Sequence, residues 1–112
     1  MKIVKIKDVE LSSNPHGVDT RVIYNTENAM TVHMTLKPGE SLKRHITPVD
    51  VFFYVLEGKG IVEIGDEKKE VTKDMLIDSP AKIPHCWYNE SDEDLIILVN
   101  KVPRPTESTQ IL

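Results

Sequence analysis

The chain has 112 residues, of which 39% are hydrophobic and 29% are charged, and this length suits one globular domain rather than two. Its formal net charge of -4, without any basic run, excludes nucleic acid as an expected partner. No segment reaches the roughly 20 apolar residues of a membrane-spanning helix, so we expect no membrane partner.

The first seven residues mix lysines with apolar side chains and lack the continuous apolar stretch of a signal peptide. Cys86 is the single cysteine, which excludes an internal disulfide. Both features predict a cytoplasmic protein.

Apolar and polar residues alternate with a period of two, which is typical of half-buried strands. In residues 30–36, for example, Val32, Met34 and Leu36 share one face. Short strands are predicted near residues 2–6, 20–25, 30–36, 51–56, 60–64, 68–72, 75–78, 85–88 and 94–101. Many short strands separated by turns predict an all-β sandwich or barrel.

Residues 103–112 follow the last predicted strand and are mostly polar, with two prolines. We expect them to form an extended C-terminal arm, docked on the barrel or on a neighbouring molecule. Residues 1–112 are predicted to form one domain.

Two segments carry histidines at distinctive spacings. In residues 38–58, Gly39 is followed after five residues by His45, and Gly58 ends the segment. In residues 79–89, a proline, a histidine and an asparagine follow in order, at Pro80, His85 and Asn89.

Together these segments resemble the paired motifs of the cupin superfamily. The first family motif reads glycine, five residues, His-x-His, three or four residues, glutamate, six residues and glycine. The second reads P-x-G-x-x-H-x-x-x-N. The resemblance implies a cupin-type jelly-roll β-barrel, usually a homodimer, with a small-molecule site in the barrel mouth.

This chain departs from the family motifs at three positions. Thr47 stands in place of the second histidine, Val51 in place of the glutamate, and Lys82 in place of the glycine. In metal-binding cupins, three histidines and one glutamate from these motifs hold the ion. This chain lacks one of those histidines and the glutamate, so the site that the resemblance implies is incomplete.

A divalent metal ion (Fe, Mn, Ni, Zn or Cu) can still be held by two histidines and one carboxylate. The metal hypothesis names His45, His85 and Asp50, where a strand break or bulge at Pro48 would turn Asp50 inward. The alternative is that the histidines are polar residues at the barrel mouth without a metal. His16 lies in a loop and is expected to be solvated.

Strand parity predicts the walls of a substrate pocket. Thr47, Phe53, Val55 and Trp87 are expected to line it, because their positions share the inward face with the histidines. For Trp87, a core position is the alternative.

Three functions remain open from the sequence. The first is a metal-dependent enzyme of oxygenase, decarboxylase or isomerase type, and the second is a metal-free module that binds a small sugar or acid. The third is an assembly role through the outward residues Phe52, Tyr54 and Leu56.

Overall fold

The structure is a computed structural model that describes residues 1–112, and its regular secondary structure is almost entirely β. After one 3-10 turn, Ile6–Asp8, ten strands follow in chain order. They are β1 Asp19–Asn25, β2 Met30–Leu36, β3 His45–Ile46, β4 Asp50–Glu57, β5 Lys59–Ile64, β6 Glu67–Thr72, β7 Leu76–Ser79, β8 His85–Tyr88, β9 Leu95–Val102 and β10 Gln110–Ile111.

The strands form two antiparallel sheets of five strands each. The first has the order β1-β2-β9-β4-β7 and the second the order β10-β3-β8-β5-β6. The sheets are not hydrogen-bonded into one closed cylinder, so the predicted barrel is an open two-sheet sandwich. The all-β prediction is confirmed.

The inner faces of both sheets pack into one apolar core. Alternate residues of β4 and β9 are buried there, as the period of two predicts, and Phe53, Leu95 and Ile97 are at most 2% exposed. Trp87 enters the same core from β8 and is fully buried.

The predicted strand at residues 2–6 is wrong. Residues 1–5 pair with no strand, and Ile3 is 76% exposed. Alternating apolar residues form a strand only where their backbone groups pair with a neighbouring strand, and no strand pairs with this segment. No helix in the structure has the length and hydrophobicity needed to span a membrane.

The C-terminal arm docks on its own chain. Gln110 and Ile111 pair with Ile46 and His45 of β3, so β10 covers the outer edge of the strand that carries His45. This pairing involves only two residues and was not predicted.

Candidate functional site

Two neighbouring strands bring His45 and His85 together. β3 and β8 pair antiparallel with these two residues directly opposite one another, so both side chains lie on the inner face. Their Nε2 atoms are 2.9 Å apart, and the residues are only 7% and 2% exposed. Two residues that are 40 apart in the sequence thus form one buried imidazole pair.

The other ring nitrogen of each histidine is also hydrogen-bonded. His45 Nδ1 lies 2.6 Å from the Lys43 carbonyl oxygen. Because a carbonyl can only accept, His45 carries its proton on Nδ1, and its Nε2 has a free lone pair. His85 Nδ1 lies 2.7 Å from the Ser79 hydroxyl, which can donate or accept.

All four ring nitrogens of the pair have a suitable hydrogen-bond partner when both rings are neutral. His85 donates from Nε2 to His45 Nε2, and Ser79 donates to His85 Nδ1. Burial is the main cause that lowers the pKa of both histidines, to about 3 for His85. The pair is therefore uncharged at neutral pH.

The structure does not bring a carboxylate to this pair. Asp50 is exposed, and its Oδ1 accepts a hydrogen bond from the Ala81 N–H at 2.8 Å. The chain does break between β3 and β4 around Pro48, but the break does not turn Asp50 inward. Val51, at the position of the family glutamate, is the residue that faces the interior.

The donor set does not fit the expected metal site of two histidines and one carboxylate. No group of three or more His, Cys, Asp or Glu side chains is arranged to hold an ion. Thr47 adds only a neutral hydroxyl, 3.4 Å from His85 Nε2.

The histidine pair lies in the wall of a cavity of about 230 Å³. Thr47 and Phe53 line this cavity, and the Phe53 ring centroid is 5.3 Å from that of His85. Val55 and Trp87 do not line it. Both are fully buried in the core, where Trp87 packs edge-on against Phe53.

His16 belongs to this cavity, and its predicted solvation is wrong. It is half-buried, with its ring centroid 4.7 Å from that of His45. Its Nδ1 accepts a hydrogen bond from the Lys43 N–H at 3.1 Å, so the neutral ring carries its proton on Nε2. Burial is the main cause that lowers its pKa to about 4. The turn Asn14-Pro15-His16-Gly17 is visible in the sequence, but its docking on β3 is not.

Lys101 is the site residue that the sequence reasoning missed. It lines the same cavity from β9, on the face that also carries Leu95, Ile97 and Val99. The sequence does contain a signal for the inward orientation of Lys101, because the period of two places residue 101 on the same face as residues 95, 97 and 99.

Comparisons with known proteins agree with this architecture. The cupin domain family matches residues 32–100. An uncharacterized protein from Methanocaldococcus jannaschii is 38% identical over 72 residues, which are 63% of this chain and 57% of that protein, so the chain spans little more than half of that relative's length.

Solved structures show the same fold. A protein from Thermus thermophilus is 30% identical, with 94% of this chain and 100% of that chain covered and a TM-score of 0.80. The polyketide cyclase RemF from Streptomyces resistomycificus is 20% identical, with 100% and 85% covered and a TM-score of 0.86. An RmlC-like cupin from Shewanella frigidimarina is 16% identical, with 93% and 92% covered and a TM-score of 0.82. With its paired histidine motifs, two-sheet fold and match over residues 32–100, the chain belongs to the cupin family.

Proposed function

We propose that the protein is a small-molecule-binding cupin that works without a resident metal. Its ligand occupies the cavity beside His45 and His85, whose rings form part of the cavity wall. The observation that carries this proposal is the neutral, fully hydrogen-bonded histidine pair in a cavity that offers no carboxylate for a metal ion.

The cavity has the composition of a ligand site. Hydrophobic residues such as Val51 and Phe53 make up eight of its 19 lining residues, and polar residues make up most of the rest. Small-molecule pockets likewise combine apolar walls with polar groups that fix the orientation of the ligand. A larger groove of about 660 Å³ lies between β6 and β7, but no histidine lines it. The cavity at the histidine pair is therefore the better candidate.

A metal-dependent enzyme is the second candidate, and one distance favours it. Two nitrogen atoms that each lie about 2.0–2.1 Å from a shared ion can be 2.9 Å apart, which is the Nε2–Nε2 distance of this pair. In that state the Ser79 hydroxyl would accept from His85 Nδ1 rather than donate to it. Oxygenase, decarboxylase and isomerase activities would all belong to this alternative.

Metal content and ligand binding separate the two candidates. The protein is purified without chelators or metal-affinity columns, and its Fe, Mn, Ni, Zn and Cu are measured by mass spectrometry. We expect far less than one ion per chain. One ion per chain that disappears in His45→Ala and His85→Ala would replace the proposal with the metal-dependent one.

A thermal-shift screen with small acids and sugars tests binding itself. A ligand at 100 times its dissociation constant stabilises the fold by about 2.7 kcal/mol. We expect hits whose effect is lost in His85→Ala and kept in His33→Ala, because His33 does not line this cavity. Hits that persist unchanged in His85→Ala would contradict the proposed site.

A further inference from the structure

Lys101 places a positive charge inside the sandwich. Residues 95, 97, 99 and 101 of β9 face the same way, and the first three of these residues are apolar. β9 lies between β2 and β4, where Lys101 pairs with Met30 and Val51. Lys101 thus projects from a central strand, and its side chain is partly withdrawn from water.

No acidic side chain neutralises this charge. The structure contains five ion pairs, and none of them involves Lys101. The chain has 18 Asp and Glu residues, yet the cavity lining contains none. Acidic residues are plentiful elsewhere, so their absence here is a property of the cavity rather than of the composition.

An unpaired ammonium group in a partly apolar site is unfavourable. Burial lowers the pKa of Lys101, which reflects the cost of holding the charge there without a counter-ion. The nearby imidazoles of His16, His45 and His85 are neutral and cannot supply that counter-ion. An anion that enters the cavity would remove this cost.

We propose that the cavity selects small monocarboxylic acids, whose carboxylate pairs with the ammonium group of Lys101. This inference rests on the proposed function and names the ligand class of the same site. One cation matches one negative charge, and His16, whose neutral ring carries its proton on Nε2, lines the same cavity. The apolar wall, which includes Met34, Leu42 and Phe53, fits the hydrocarbon part of such an acid.

Pairs of an acid and its amide test the effect of the ligand's charge separately from that of its shape. Benzoate is compared with benzamide, and hexanoate with hexanamide, by calorimetric titration at one fixed ionic strength. Each amide keeps the shape of its acid and lacks the charge. We expect the wild-type protein to bind each acid at least tenfold more tightly than its amide.

Lys101→Met removes the charge and keeps an unbranched side chain. We expect this variant to bind each acid at least tenfold more weakly than the wild type does, and to bind each acid and its amide with similar affinity. Lys69→Met is the matched control, because the Lys69 side chain is 74% exposed on β6 and does not line the cavity. Lys101→Arg retains the charge and should retain the preference.

Two results would overturn the inference, and only the first of them is compatible with the proposed function. Equal affinity of the wild type for acid and amide, with binding lost in His85→Ala, would contradict the carboxylate preference and leave the proposed binding site intact. Absence of binding by both acids and both amides would overturn the inference and count against the proposed function as well. The wild-type comparison decides the matter even if Lys101→Met fails to fold.

Discussion

Lys82 adopts a backbone conformation that L-amino acids disfavour. Its φ is 66°, in the left-handed region, and its N–H donates to the Thr47 carbonyl at 3.0 Å. The cupin motif has glycine at this position, which would adopt the same conformation without strain. This chain therefore forms the turn of the motif with lysine in place of the usual glycine.

Replacement of Lys82 by glycine should therefore stabilise the protein. Relief of the left-handed strain raises the free energy of unfolding by about 1–2 kcal/mol. The greater freedom of glycine in the unfolded chain lowers it by about 0.5–1 kcal/mol. We expect Lys82→Gly to raise the free energy of unfolding by about 0.5–1 kcal/mol in urea denaturation.

A matched control separates strain relief from a general tolerance of glycine. Lys69→Gly, in the middle of β6, should lower the stability because a strand interior gains nothing from glycine. Equal destabilisation by Lys82→Gly and Lys69→Gly would show that the turn carries no strain.

The link between β4 and β5 depends on a glycine for two reasons. Gly58 has a φ of 83°, and a Cβ atom at this position would collide with the carbonyl oxygen of Asp94, which precedes β9. The hairpin between β4 and β5 can lie against β9 only because this residue has no side chain.

We expect Gly58→Ala to cost clearly more stability than Gly39→Ala. Gly39 also has a positive φ, of 85°, but an added Cβ would meet nothing within 4 Å. Gly39→Ala therefore loses about 1–2 kcal/mol for the conformation alone, whereas Gly58→Ala adds a backbone collision. Thermal unfolding of both variants measures the difference, and equal melting temperatures would contradict the close approach.

The strands from residue 20 onward were predictable because a half-buried sheet imposes a period of two on its residues. The two-residue strands β3 and β10 were not, since such short segments carry no periodic signal. Residues 2–6 show the opposite error, because they have the pattern of a strand but pair with no strand.

The site was predictable to the extent that it follows strand parity. His45, His85, Thr47 and Phe53 face one cavity because inward positions alternate along their strands. His16 could not be placed from the sequence, because the docking of a loop depends on packing that no local pattern encodes. Asp50 was placed wrongly, because a break at Pro48 does not by itself determine which way the next strand faces.

At the scale of the whole molecule, the outer face of the first sheet is partly apolar. Phe52 is 37% exposed and Leu76 is 59% exposed, and both lie on the outward side of neighbouring strands β4 and β7. The cupin resemblance predicts a homodimer, and this face is the surface we expect it to use. The cytoplasmic location also stays a prediction.

We expect the wild-type protein to elute as a dimer in size-exclusion chromatography with light scattering. Phe52→Glu should shift it towards the monomer, because a charge at the centre of an apolar interface is not solvated. Thr72→Glu, on an exposed position of β6 in the other sheet, should leave the dimer intact. A monomeric wild type at all concentrations tested would contradict this expectation.

We propose that a small acid, and not a metal ion, occupies the space beside His45, His85 and Lys101. A crystal structure of protein purified without chelators and soaked with benzoate, with data collected at the Fe and Zn absorption edges, tests it most directly. We predict density for the carboxylate within hydrogen-bonding distance of Lys101 Nζ and no anomalous peak near the histidine Nε2 atoms. An anomalous peak shared by His45 and His85, or benzoate bound only outside this cavity, would contradict the claim.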